Sequence, residues 1–300
     1  MQKSSRFILG LSLAFMVIFI AGVSLMIDIF TGVPDFARIR DKVIVPIKLA
    51  NQEKSEKEMG PKTPGWVPLS QISNHLIMAV IASEDTSFFS HKGVDYHELK
   101  EAVRKDWEKK SWARGGSTIT QQVVKNVYLG RQKTLWRKLK EFFWAQEMEK
   151  VLSKSEILCF YLNMAEWGPG IYGIREASGR YFSIPPALLT AKQAAFLAIL
   201  VPSPIKYYAY FKNKLLTDWA KSRIEQVLRV MKKMEFIDEE TYSDSLSEML
   251  WGVASTASTE VGIENKEPAE AEIETLDLEE MKPSEEENAI KVLEEANENP

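Results

Sequence analysis

Three short segments carry side chains whose types and spacing could do chemistry. The first runs Glu84-Asp85-Thr86-Ser87-Phe88-Phe89-Ser90-His91-Lys92-Gly93. It places an acidic pair where an apolar stripe ends, followed by aromatics and a His-Lys-Gly turn. A carboxylate on the rim of a helix, partly desolvated by aromatic rings, can have its pKa raised enough to act as a general base. The plainer alternative is a solvated acidic pair with His91 bonded to the turn backbone. The second segment is Arg114-Gly115-Gly116-Ser117-Thr118-Ile119-Thr120-Gln121-Gln122-Val123-Val124-Lys125-Asn126. Its glycines permit a sharp turn, and amides exposed at a helix start can bind an anion. Gln121 and Lys125 are four apart, as are Gln122 and Asn126, so each pair shares a helix face. The Gly-Lys-Ser/Thr arrangement of a P-loop is absent, and an ordinary capped helix with a solvated face also fits. The third segment, Lys133 to Glu141, holds Arg137 and Glu141 four apart. That is either a surface salt bridge worth about a few tenths of a kcal/mol, or a group that faces phosphate oxygens together with Lys138 and Lys125.

The surrounding chain must position these residues. Phe7 to Ile27 reads FILGLSLAFMVIFIAGVSLMI without a charge. As a helix it extends about 31 Å, the thickness of a bilayer's hydrocarbon core. The run is too long for a signal peptide and lacks a good cleavage site, so an uncleaved single-pass anchor is expected. Lys3 and Arg6 before the span, and Asp28 and Asp35 after it, orient residues 1–6 to the cytoplasm and export the remainder of the chain. Residues 28–65 then read as a juxtamembrane connector in which Pro61, Pro64 and Gly65 discourage regular structure. From Trp66 the pattern becomes helical: Ile72 to Ser83, Tyr96–Lys110 and Thr134–Leu152, with further helices over Pro186–Leu200 and Leu216–Met234. Thr118 with Gln121, and Ser153 with Glu156, each fit a capping box that starts a helix. No period-two run bounded by hairpin turns stands out, so residues 66–250 are expected to form one mainly α domain.

Cys159 is the single cysteine, which excludes an internal disulfide and a thiolate metal site, and three histidines make a zinc centre improbable. Residues 260–300 hold fifteen acidic side chains against three lysines, a local charge of −12 within a total of −4, so residues 1–259 carry +8. A basic domain suits anionic head groups or a phosphate-bearing substrate. Residues 251–300 are acidic and nearly free of aromatics, the composition of a disordered tail.

Taken in order, the segments resemble the peptidoglycan glycosyltransferases (glycosyltransferase family 51), in particular the monofunctional biosynthetic transglycosylases. Glu84, Asp85, Phe88, His91 and Gly93 meet the family pattern Glu-Asp-x-x-Phe-x-x-His-x-Gly. Gly115–Gln122 meets Gly-Gly-Ser-Thr-Ile-Thr-Gln-Gln without a gap, with Lys125 and Asn126 following. Arg137, Lys138 and Glu141 meet Arg-Lys-x-x-Glu; Lys154, Tyr161, Leu162 and Asn163 meet the next motif; Glu166-Trp167-Gly168 and Pro202-Ser203-Pro204 come after. The resemblance covers about residues 66–235 and implies a lysozyme-like helical glycosyltransferase domain after one N-terminal transmembrane helix, in a bacterial inner membrane with the domain periplasmic.

The roles implied by that resemblance are specific. Glu84 would deprotonate the acceptor's 4-hydroxyl, with Asp85, Phe88 and His91 positioning it and Glu141 as a second carboxylate. Lys125, Arg137 and Lys138 would hold the donor's pyrophosphate. Ser117, Thr118, Gln121 and Gln122 would shape the donor cleft, with Asn126 beside them. Where relatives often carry a phosphate-contacting arginine, this chain has Lys133, which keeps the charge without the bidentate fork; the contact falls to Lys133 or to Arg131. The implied substrates are lipid II and a growing lipid-linked glycan, joined β-1,4 with inversion at the anomeric carbon. No cofactor is required, although a divalent cation, Mg or Mn, is compatible with the pyrophosphate. Expected partners are the membrane and other cell wall synthesis or division proteins, not nucleic acid. Trp107 and Trp112, among basic residues of 96–114, suit a segment dipping into the lipid interface. The competing readings are a lysozyme-like lytic enzyme, which leaves Lys125 and Arg137 without a purpose, and a non-catalytic membrane scaffold. A penicillin-binding second domain is disfavoured: Ser203-x-x-Lys206 has no Ser-Asp-Asn or Lys-Thr-Gly beside it.

Overall fold

A computed structural model describes residues 2–109, 116–130 and 134–251. Arg114, Gly115, Trp112, Arg131, Lys133 and the acidic tail therefore lie outside the described residues. The architecture is mainly helical, as the sequence implies. Helix α1 (Gln2–Thr31) comes first and is long and apolar enough to cross a membrane. Phe15, Ile18 and Phe19 on it are well exposed, so its apolarity is not explained by a protein core.

The connector corrects the sequence reading, because it folds. Asp35 caps a short 3₁₀ turn, Phe36–Arg40, that buries Phe36 and Ile39. Strands β1 (Val43–Lys48) and β2 (Lys54–Met59) then pair antiparallel, Val43 opposite Met59 and Lys48 opposite Lys54. Val43, Val45 and Met59 point into the core while Ile44 and Pro46 face out. The charged face of β2 reads as a linker in sequence because a surface strand turns a single apolar residue, Met59, inward.

The helical body follows as α2 (Asn74–Glu84), α3 (Tyr96–Lys109), α4 (Ile119–Val124), α5 (Leu135–Val151) and α6 (Lys154–Met164). A short bulged pair, β3 (Glu166–Gly168) and β4 (Ile171–Tyr172), leads into α7 (Ile174–Phe182), α8 (Ala191–Leu200), α9 (Pro204–Asn213), α10 (Asp218–Lys233) and α11 (Glu239–Ser247). Helices α7, α9 and α11 are additions to the sequence reading. The single helix expected over Pro186–Leu200 is divided: a 3₁₀ turn over Pro186–Leu188 precedes α8, which starts afresh at the Thr190–Gln193 capping box. The Thr118 and Ser153 capping boxes are both present.

Burial explains the arrangement. Leu76 to Ala82 of α2 are all buried, as are Ala194 to Leu200 of α8. Helices apolar all round must lie at the centre, and these two pack on each other. Helix α10 covers them with one stripe, Ile224, Val227, Leu228 and Met231. On the other side α4 packs against α5 and α6.

Two clasps join the N-terminal segments to this body. Asp28, just past the apolar run of α1, pairs with Lys140 at 2.7 Å and accepts from Trp136 Nε1 at 3.2 Å, while Trp144 Nε1 donates to the Ile29 carbonyl at 3.0 Å. Arg40 donates to Glu156 at 2.5 Å and to the Val151 carbonyl at 2.8 Å, tying the connector to the junction of α5 and α6.

Gly93 closes the loop after α2 against α5. Its φ is +80°, and a Cβ there would lie 2.6 Å from the backbone carbonyl of Ala145. Neither strain nor overlap can be relieved by a rotamer. Gly93→Ala should cost at least about 2 kcal/mol, read as a lowered thermal midpoint of the purified protein.

Candidate active site

The site forms where α2 stops. Glu84 is the last residue of α2 and Asp85 its cap, so a helix buried on every side delivers a carboxylate pair to the edge of the core. Asp85 is buried and fully engaged. It accepts the Ile119 N–H at 2.9 Å, and His91 Nε2 lies 3.0 and 3.1 Å from its two oxygens. His91 Nδ1 faces Lys154 Nζ at 3.4 Å. An ammonium can only donate, so Nδ1 accepts and the Nε2–H points at Asp85. Lys154 also donates to Glu149 at 2.8 Å, and Glu149 accepts from Thr120 Oγ1 at 2.6 Å. Phe88 is fully buried and lies against this chain, with Lys154 Nζ 4.4 Å from its ring centre.

Glu84 is in a different setting. It keeps partial exposure, and Gln122 Nε2 donates to its Oε2 at 2.8 Å. Desolvation raises its pKa above the ordinary carboxylate value; the Gln122 hydrogen bond, Arg223 and Lys125 oppose that rise. Both outcomes suit a base: basic enough to take a proton, yet stabilised as the anion by donors and cations around it.

Lys125 stands on a π-helical turn, Lys125–Leu129, that continues α4 and ends at Gly130 with φ +68°. Such a turn re-aims the side chains it carries, and these turns are frequent at functional sites. Lys125 acts electrostatically on both Glu84 and Lys138. Across from it, Thr134 caps α5 by accepting the Arg137 N–H, which sets Arg137, Lys138 and Glu141 on the first turns. Lys138 Nζ donates to Ser117 Oγ at 2.8 Å and lies 3.2 Å from Glu141 Oε2, while Arg137 closes on Glu141 Oε1. Burial, with Lys125 and Arg137 nearby, lowers the Lys138 pKa to about 8. Arg137 and Lys138 share the Glu141 carboxylate, and a group of cations with this spacing suits the oxygens of a phosphate or pyrophosphate.

The structure brings together Glu84, Asp85, Phe88, His91, Gln122, Ser117, Lys125, Arg137, Lys138 and Glu141. It also changes what three of the sequence candidates do. Thr118 and Gln121 are buried and spent on the α4 cap: Thr118 Oγ1 donates to the Gly93 carbonyl at 2.7 Å, and Gln121 Oε1 accepts the Thr118 N–H at 3.0 Å. These bonds fix the start of α4 against the Gly93 turn. Glu141 is 2% exposed and engaged by Arg137 and Lys138, so it acts as their counter-ion. Asn126 follows Lys125 on the π turn, and Lys133 lies outside the described residues. Arg223 on α10 was absent from the sequence reading. It bears on Glu84 and donates to Gln226 at 2.6 Å. Its signal was available, as an arginine one residue from Ile224 on the buried stripe of an amphipathic helix.

The Lys138 ammonium, with its pKa lowered to about 8, loses its proton progressively as pH rises through that value. The affinity of the purified protein for inorganic pyrophosphate, measured calorimetrically, should therefore fall relative to a Lys138→Gln variant as pH rises from 7 to 9.5. The wild-type advantage, about tenfold or more at pH 7, should shrink toward none.

The family model described as Transglycosylase matches residues 52–232, so the match begins within the hairpin. A biosynthetic peptidoglycan transglycosylase of Nitrosomonas eutropha is 46% identical over 142 residues, 47% of this chain and 58% of that protein. One from Nitrosospira multiformis is 42% identical over 163 residues, 54% of this chain and 69% of that protein. The chain thus spans between a half and about two thirds of the length of these relatives. A solved structure, penicillin-binding protein 1A from Haemophilus influenzae, aligns with 73% of this chain and 22% of its own at 21% identity and a TM-score of 0.36. Because the family match takes in well over half of the residues, 52–232 of 300, the chain belongs to the transglycosylase family.

Proposed function

We propose that this chain is a peptidoglycan glycosyltransferase that polymerises lipid II into β-1,4 glycan strands with inversion. The observation that carries the reading is one partly exposed carboxylate, Glu84, in the field of Lys125, which also acts on Lys138 beside Arg137. Family membership and the relatives' activity in peptidoglycan biosynthesis support it. Glu84 Oε would take the proton of the acceptor's 4-hydroxyl as that oxygen attacks the anomeric carbon of the donor. The bond from that carbon to the pyrophosphate breaks, and its electron pair leaves on the phosphate oxygen. Lys125, Arg137 and Lys138 would meet the charge that develops there, which is where preformed electrostatics lower a barrier most. Glu141 keeps the Arg137 and Lys138 side chains from separating while the site is empty. A divalent ion, Mg or Mn, would offset part of that charge by binding the pyrophosphate itself and would replace none of these residues.

Helix α1 gives the reading its setting. It would cross the cytoplasmic membrane with residues 1–6 inside and the catalytic body outside, where both substrates are held by their lipid tails. Confining enzyme and substrates to one surface raises their effective concentration without any new contact.

The full-length protein, given purified lipid II, should produce polymer. Glu84→Gln should reduce turnover by about 10²–10⁴ with the fold intact by circular dichroism. Near-normal polymerisation by that variant would remove Glu84 from the mechanism. Lys125→Ala should reduce kcat by about 10²–10³. The lytic alternative predicts the opposite product pattern: cleavage of preformed glycan and no polymer from lipid II.

A further inference from the structure

The Lys154, Tyr161, Leu162, Asn163 run has so far no part in the chemistry. Asn163 is structural: its Nδ2 donates to the Val67 carbonyl and its Oδ1 accepts the Val67 N–H, both at 2.9 Å. Lys154 is a link in the buried chain behind Asp85, between His91 and Glu149. Tyr161 is placed otherwise. Its side chain is buried on α6, and its hydroxyl meets Gln122 Oε1 at 3.1 Å, the amide whose Nε2 reaches Glu84.

The two ends of an amide have opposite hydrogen-bonding character. An ionised carboxylate accepts only, so Gln122 must turn its NH₂ toward Glu84. That leaves the amide oxygen facing α6 in a partly buried place beside the buried Tyr161 ring, where a donor satisfies it. The tyrosine hydroxyl supplies one. A phenylalanine ring there would leave the oxygen unpaired and the amide free to turn over, setting oxygen against carboxylate.

We propose that Tyr161 is a positioning residue: by donating to Gln122 Oε1 it locks the amide with its N–H on Glu84 Oε2, holding the base ionised and leaving its other oxygen for the acceptor hydroxyl. This rests on Glu84 being the base. The groups facing Glu84 are Asp85 beyond α2, Gln122 on α4, Lys125 on the π turn, Arg223 on α10 and Tyr161 on α6. Burial, with Glu84 and Asp85 in the same direction, holds the Tyr161 hydroxyl well above its ordinary pKa, so its proton stays in place across the working range.

The test compares full-length wild type with Tyr161→Phe, Gln122→Met, the double variant and Glu84→Gln, with kcat and KM for lipid II measured against pH. For Tyr161→Phe, kcat at neutral pH should fall about three- to tenfold with KM within about twofold, and the acid limb of kcat should move up by about half to one pH unit. Gln122→Met should move the limb the same way. The double variant should be no worse than Gln122→Met, because Tyr161 acts through that amide. An acid limb that stays put in Tyr161→Phe, even with a lowered thermal midpoint, would overturn the proposal by showing a merely structural role. So would a double variant whose losses multiply. If Tyr161→Phe does not fold, Gln122→Met with an unmoved limb overturns it equally. Polymerisation by Glu84→Gln would instead defeat the base assignment, whereas an inactive Glu84→Gln beside a wild-type profile for Tyr161→Phe defeats the positioning role alone.

Discussion

A buried carboxylate must be met by donors or it unfolds its surroundings, and Asp85 makes that demand at the junction of three segments. The Ile119 N–H that it accepts is the first amide of α4, and the imidazole that it accepts comes from the loop after α2. Satisfying Asp85 therefore fixes α4 relative to the end of α2. Everything reactive follows from that relation. Gln122 reaches Glu84 because it lies one turn further along α4, and Lys125 appears where α4 passes into its π turn. The chain continues through Lys154 and Glu149 to Thr120, so α4, α5 and α6 are bound to the same carboxylate. Removing one member strands the others in a low-dielectric interior, a loss of about 3–5 kcal/mol when a charge is left uncompensated.

The carboxylates in this region divide their labour by environment. Asp85 and Glu141 are buried and each is held by basic partners, His91 for one and Arg137 with Lys138 for the other. Glu84 keeps one amide donor and some solvent access, and desolvation shifts it toward basicity. Among the cations, burial lowers the pKa of both Lys154, which is paired with Glu149, and Lys138, which lies among like charges and falls to about 8.

The sequence made the reactive residues easier to see than the frame. The candidates Glu84, Lys125, Arg137 and Lys138 stand out in the sequence because residue type and short spacing are local properties, while their roles come from the family resemblance. The capping boxes at Thr118 and Ser153 were legible for the same reason, being local patterns. Four apart on an ideal helix, however, places Gln121 beside Lys125, and the π turn together with the α4 cap separates their roles. The hairpin escaped because β2 shows charge on its outer face and its pairing with β1 is not a local property. Arg223 escaped for a further reason: its importance comes from α10 packing on α2, some 140 residues earlier in the chain.

The clasp between α1 and α5 also has a mechanical side. Helix α5 carries Arg137, Lys138 and Glu141, and the same helix is bolted to the end of α1 through Trp136, Lys140 and Trp144. On the proposed reading, with α1 across a bilayer, the height of the cation cluster above it would be a property of one stiff piece rather than of a slack linker. A strand lengthening at a point held at constant height would have to be fed outward, so the polymer would travel while the enzyme stood still.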